Sequence, residues 1–157
     1  METIWRYDNR QLRKEIFMID KNLILIEYLR QVERGNTLQF ELQQPLRGYT
    51  FKSEYSTNDQ DLKVVVVSQR PTEKQVLWCG KKLFEAFQIE VFGDSIRDEK
   101  EVANSIGELI GDNVTITYNG KNYQIMFMQM STPQSVVYDD IRRVAYTMIL
   151  RTLINEI

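Results

Sequence analysis

The chain has 157 residues, with 20 Lys and Arg against 22 Asp and Glu, and it contains no histidine. Without histidine it cannot form a Ser-His-Asp triad, a Cys-His dyad or a His-ligated zinc site, and its single cysteine, Cys79, excludes a disulfide within the chain. The charge balance lacks the basic excess that is typical of nucleic-acid binders. The composition therefore predicts one domain, an intracellular compartment, no membrane segment, and a role in binding or structure rather than catalysis.

The first predicted element is a helix in the N-terminal part of the chain. Apolar residues recur at steps of three and four between Leu12 and Leu29, which places them on one helix face. Two starts stay open, a long helix from Asp8 or a leader of residues 1–19 followed by a helix from Asp20. We favour the second start, and Gly35 is a suitable helix end in both.

Alternation of apolar and polar residues predicts the next strands. The pattern runs over residues 37–42 and ends before Pro45, and it returns over residues 49–55. The four valines of residues 64–67 then indicate a strand that is buried on both faces.

The second half of the chain predicts a strand, a helix and a hairpin. Residues 84–92 alternate as a strand, and residues 98–110 have the periodicity of an amphipathic helix. Two strands, residues 114–118 and 121–130, flank Asn119-Gly120, which favours a type I′ turn because both central positions of that turn need a positive φ.

Residues 138–157 fit a helix and a strand equally well by periodicity. The elements together predict an α+β fold, with a mixed or antiparallel sheet flanked by two helices and an Asn-Gly β-hairpin.

One acidic cluster has residues of the kind that form a metal site. Asp94, Asp98 and Glu99 lie close in sequence and have the oxygen ligands that a divalent cation prefers. Acidic residues at this place also cap a helix and interact favourably with its positive end. We favour the capping interpretation and expect no metal ligand and no cofactor.

A metal-dependent nuclease is the alternative enzyme hypothesis. Asp61 precedes the valine strand, and Glu85 and Glu90 lie on the next strand. Neither glutamate is followed two residues later by the lysine of a Glu-x-Lys pair, because Phe87 and Phe92 occupy those positions.

Three further groups have both a functional and a structural interpretation. Basic pairs could contact phosphates or lie on an exposed rim: Lys81, Lys82, Arg142 and Arg143. Methionines could form an adaptable contact surface or pack in the core: Met126, Met128, Met130 and Met148. Cys79 has no neighbouring base and is interpreted as inert.

The order of elements resembles the tail terminator proteins of long-tailed bacteriophages, a family that includes tail completion and minor capsid proteins. The resemblance rests on strand 84–92, the polar break Gly93-Asp94-Ser95, helix 101–110, the Asn-Gly hairpin, and Tyr138-Asp139-Asp140 leading into a last strand. It covers residues 20–154 and involves no diagnostic motif.

The resemblance implies a structural virion protein, tail-terminator-like in fold, that forms a homo-hexameric ring. Such a ring would end polymerisation of the tail tube protein, join the tail to the head connector, and let DNA pass through its lumen without specific binding. The resemblance also implies assembly in the host cytoplasm and a strand over residues 138–154. Residues 1–19 would form an arm outside the core of residues 20–157. A neck or head-completion protein of similar size stays an alternative.

Overall fold

The computed structural model describes residues 21–54, 63–69, 85–138 and 143–157. These residues form three helices and seven strands. The helices are α1 (Lys21–Glu33), α2 (Phe40–Leu46) and α3 (Ile96–Gly107). The strands are β1 (Thr50–Lys52), β2 (Val64–Gln69), β3 (Glu85–Phe92), β4 (Asn113–Tyr118), β5 (Lys121–Met130), β6 (Gln134–Tyr138) and β7 (Arg143–Glu156).

All seven strands belong to one curled, mixed sheet. Its order is β1-β2-β3-β7-β5-β4, and β6 pairs with β7 outside this sequence. The pair β1–β2 is parallel and every other pair is antiparallel. The α+β class is thereby confirmed, with three helices among the described residues instead of the two expected.

Strand β7 is the centre of the sheet. One side of it pairs with β3, and the other side pairs with β5 through its second half and with β6 through its first half. The ambiguous segment is therefore a strand from Arg143 to Glu156. Strand β6, which the sequence analysis missed, continues the line of β5 after a break at residues 131–133.

The main core lies between one face of the sheet and the helices. Alternate residues of the central strands point into it, together with the apolar residues of α1 and α3. A smaller cluster on the opposite sheet face contains Val64, Val66, Phe92 and Ala145. The four valines of β2 are thus buried on both faces, as their sequence predicts.

Helix α1 is described from Lys21 to Glu33, and the predicted start at Asp20 lies directly before the described residues, so it stays a prediction. Gly35 follows the helix with φ +79°, the left-handed conformation of a glycine helix end. The alternative start at Asp8 lies outside the described residues.

The predicted strand over residues 37–42 is wrong, because this segment leads into α2 (Phe40–Leu46). Leu42 and Leu46, one helical turn apart, are buried, whereas Leu38 and Phe40 are exposed. Tertiary packing at a helical spacing has overridden a short alternating pattern. Pro45 lies inside this seven-residue helix.

Elsewhere the predicted elements are confirmed with small shifts. The strand predicted over residues 49–55 is described only as β1 (Thr50–Lys52). In the hairpin, Asn119 and Gly120 have φ of 50° and 77°, as a type I′ turn requires.

Candidate functional site

The acidic cluster lies at the start of α3, whose N-cap is Ser95 and whose first turn contains Asp98 and Glu99. The Ser95 hydroxyl oxygen accepts from the Asp98 backbone N–H at 3.2 Å, and the Glu99 carboxylate accepts from the Gly93 N–H at 3.1 Å. Asp94 instead forms a 3.8 Å ion pair with Lys63. Within residues 21–54, 63–69, 85–138 and 143–157, no group of three or more acidic or cysteine side chains could hold a metal ion. Ser95 rather than an acidic side chain is therefore the cap, while Asp98 and Glu99 lie where the positive end of the helix favours negative charge.

The nuclease residues are only partly described. Asp61 lies outside the described residues, whereas Glu85 is buried at the start of β3. Glu85 binds the Lys21 ammonium at 2.7 Å and accepts from the Gln69 amide at 3.0 Å. Glu90 lies on the same strand and accepts from the Gln88 amide at 3.4 Å. These contacts tie both glutamates to side chains of the sheet and of α1.

The structure does not describe the cysteine or most residues of the basic pairs. Lys81, Lys82, Arg142 and Cys79 lie outside the described residues, and Arg143 is the first residue of β7. Their predicted roles remain predictions.

The methionines do not share one face, so the alternative of a single methionine contact surface is wrong, and Met130 and Met148 instead pack in or against the core. A β-bulge between Phe127 and Gln129 places Met128 as the extra residue of β5. The bulge reverses the alternation, so that Met126 faces away from the helices and Met130 faces them. A Cβ atom at Gly107 of α3 would lie 2.7 Å from the Met130 Cε. Met148 is buried in the main core.

The edge of the sheet beyond β7 has the outline of a step. Strand β4 is outermost and covers β5 from Lys121 to Met126. Two further backbone hydrogen bonds join Gly111 and Asp112 to Phe127. Beyond this point the end of β5 and all of β6 have no outer strand among the described residues. We call β4, the end of β5 (residues 128–130) and β6 together the stepped edge.

Strand β4 presents backbone groups to the outside of this edge. In a two-residue hairpin the residues that flank the turn, Tyr118 and Lys121, form a hydrogen-bonded pair, and bonded and non-bonded pairs then alternate. The N–H and C=O groups of Asn113, Thr115 and Thr117 therefore point away from β5. The strand has no charged residue, no proline and no bulge, the devices that commonly protect an edge.

Large apolar side chains are exposed along the stepped edge. Val137 on β6 is 64% exposed and Met128 at the bulge is 47% exposed. Leu38 and Phe40, at 87% and 65%, adjoin the corner of the step, because the Gln39 amide between them donates to the Asp112 carboxylate at 3.4 Å. Of the six large apolar residues that are exposed in the described part of the chain, only Ile96 and Ile157 lie elsewhere.

Tyr28 of α1 lies close to the corner of the step, near Gln39 and Asp112. Burial raises the pKa of the Tyr28 hydroxyl to about 12; the negative charge of Asp112 contributes to this rise, and the neighbouring Gln39 side chain opposes it. The Tyr28 ring also lies against Phe127, with ring centroids 5.8 Å apart. The contact that joins residues 38–40 to the start of β4 is the hydrogen bond from the Gln39 amide to the Asp112 carboxylate.

The described residues form two surface grooves whose linings differ in charge. The larger, about 460 Å³, lies at the break between β5 and β6 and is lined by uncharged residues: Gln88, Ser131, Thr132, Gln134, Thr147, Met148 and Ile149. The smaller, about 340 Å³, lies between α1, β1 and the end of β4. Unlike the larger groove, the smaller one has charged residues in its lining: Arg30, Lys52 and Glu54.

No family model, curated protein or solved structure matches this chain. None of the three helices in the described part of the chain has both the length and the apolar character of a membrane span. The sequence reasoning missed the stepped edge, since its outline depends on β6 and the bulge. The sequence signal that was available is the uncharged β4 segment.

Proposed function

We propose that this protein is a structural subunit of a phage virion, which assembles into a homo-hexameric ring at the head-proximal end of the tail. The ring ends polymerisation of the tail tube and joins the tail to the head connector. The α+β class and the strand at residues 143–156 are compatible with the order of elements from which this proposal starts.

The observation that carries the proposal is the concentration of exposed apolar side chains along one unprotected sheet edge. A monomeric protein normally protects such an edge or keeps apolar residues away from it. Assembly of identical subunits removes both exposed features from water. We therefore assign the stepped edge to contacts with other protein subunits.

The proposed partners follow from the same role. Further copies of the chain, the tail tube protein and the connector contact the ring, and DNA passes through the lumen without sequence-specific binding. The formal charge of −2 agrees with this, because a strongly basic lumen would retain the duplex through its phosphates. The role needs no catalytic group, no metal and no cofactor.

The proposal is tested by polymerisation of tail tube subunits in the presence of this protein. We expect tubes of bounded length with the protein at one end only. Phe40→Ser, which removes an exposed apolar side chain at the step, should reduce capping, whereas Ile96→Ser should not. Tubes of unchanged length and no end binding would overturn the proposal. Binding to the connector without any effect on tubes would instead identify a neck protein.

A further inference from the structure

We propose that the unassembled protein forms a two-fold pair in which β4 of each copy fills the step of the other and adds a strand beside its β6. The pair is an additional state of the protein that does not depend on the tail ring. It is the form in which a free subunit would cover its edge before assembly.

The first support is the fit of lengths along the edge. The recess runs along the end of β5 and along β6. These residues lie opposite Arg151 to Arg143 of β7, so the recess is roughly 30 Å long at the rise of a strand. The projecting strand β4 has six residues and spans roughly 20 Å. Strand β4 and the recess lie end to end along the same edge of the sheet. Rotation by 180° about an axis perpendicular to the sheet therefore places each β4 in the recess of the other copy.

The second support is the match of faces. This rotation keeps the helices of both copies on the same side of the joined sheet. Val137 pairs with Val144, so it lies on the helix-facing side of β6, and Val114 and Tyr118 lie on that side of β4. Val137 of one copy would thus contact apolar β4 side chains of the other. Thr115 and Thr117 would continue the opposite face.

The third support is the apolar cluster at the corner of the step. The two-fold axis would pass close to the junction between β4 and the recess, where Leu38, Phe40 and Met128 are exposed. The same three residues from both copies would meet there and leave water together. Burial of paired apolar residues next to a shared axis is typical of isologous interfaces.

Charge also favours a second copy as the occupant. Neither β4 nor β6 contains a charged residue, so the rotation brings no like charges into contact along the shared strands. The backbone groups of Asn113, Thr115 and Thr117 would gain the partners that they lack within the described residues. The edge therefore matches a second copy in outline and in face, and neither of the paired strands adds a charge that would oppose the contact.

Sedimentation of the purified full chain over a wide concentration range tests the pair directly. We expect a reversible equilibrium between the monomer and twice its mass. Thr115→Pro removes one outward N–H and leaves the β4–β5 hydrogen bonds intact, so it should weaken the pair by about tenfold or more. Thr115→Val keeps the N–H and the β-branched shape and serves as the matched control.

A second pair of variants keeps the test independent of the proline. Val137→Lys adds a charge to the recess and should also shift the equilibrium to monomer, whereas Ile96→Lys adds the same charge away from the edge and should not. Circular dichroism confirms that each variant is folded. A strictly monomeric wild type, or pairing unaffected by both edge variants, would overturn the inference. Pairs without tube capping would uphold it and remove the proposed tail role, and capping by a strictly monomeric protein would do the reverse.

Discussion

At the scale of single residues, the ion pair between Lys21 and Glu85 fixes the start of α1 to the start of β3. Glu85 is 3% exposed, and the Lys21 ammonium also donates to the Ile154 carbonyl at 3.1 Å. A buried carboxylate loses its hydration on folding, so its cationic partner offsets much of that cost. The pair is therefore a structural contact between the helix layer and the sheet.

We expect Lys21→Met to lower the free energy of unfolding by about 2 kcal/mol, because the buried Glu85 carboxylate loses its 2.7 Å ion pair with the Lys21 ammonium. The matched control is Lys121→Met, which removes an exposed 3.8 Å pair with Glu156 and should cost less than about 0.5 kcal/mol. Urea denaturation measures both. Equal losses in the two variants would show that the Lys21 pair contributes no more than a surface contact.

Tyr28 predicts a specific loss of stability at high pH. The pKa of its hydroxyl is raised to about 12 in the folded protein, against the ordinary tyrosine value of 10.0. Between these values the unfolded chain releases the proton and the folded chain keeps it. Stability from this group is complete below pH 10 and falls as pH rises toward 12, by up to about 1.4 kcal/mol for each pH unit.

Comparison with Tyr28→Phe isolates this effect from the other tyrosines. The wild type should lose unfolding free energy faster than the variant between pH 10 and 12, and the two should change in parallel below pH 9. Urea denaturation at several pH values provides the measurement. Identical slopes throughout would mean that the hydroxyl is not held in its neutral form by burial.

At the scale of elements, the correct predictions are those in which a short segment carries a strong sequence signal of its own. The hairpin was predictable because two positive φ angles at Asn119 and Gly120 leave few residue choices. Strand β3 was predictable because apolar and polar residues alternate from Phe87 to Val91. Helix α2 was not, since only Leu42 and Leu46 have core contacts and a six-residue alternation carries too little information.

The turn itself provides a test of this local control. No atom lies within 4 Å of a Cβ placed on Gly120, so Gly120→Ala acts through its backbone alone. With φ at 77°, we expect a loss of about 1 kcal/mol in unfolding free energy. Asn119→Gly, which tolerates the same region, should cost much less. A neutral Gly120→Ala would contradict the strained turn.

At the scale of the whole molecule, the stepped edge shows why the site was harder to predict than the fold. Its recess exists because β5 ends in a bulge and β6 pairs only with β7, and neither feature has a distinctive sequence pattern. Leu38 and Phe40 read as the buried side of a strand, whereas the fold exposes both beside Asp112. The absence of histidine, by contrast, is evident from the sequence, and it favours a function in contacts over one in catalysis.

The function that we propose for this protein is assembly at the end of a tail tube. Electron microscopy of tube ends formed with this protein tests that proposal most directly. We predict one ring with six-fold symmetry at a single end of each tube, which is absent when the protein is omitted. Bare tube ends, or protein bound along the tube without a ring, would contradict it.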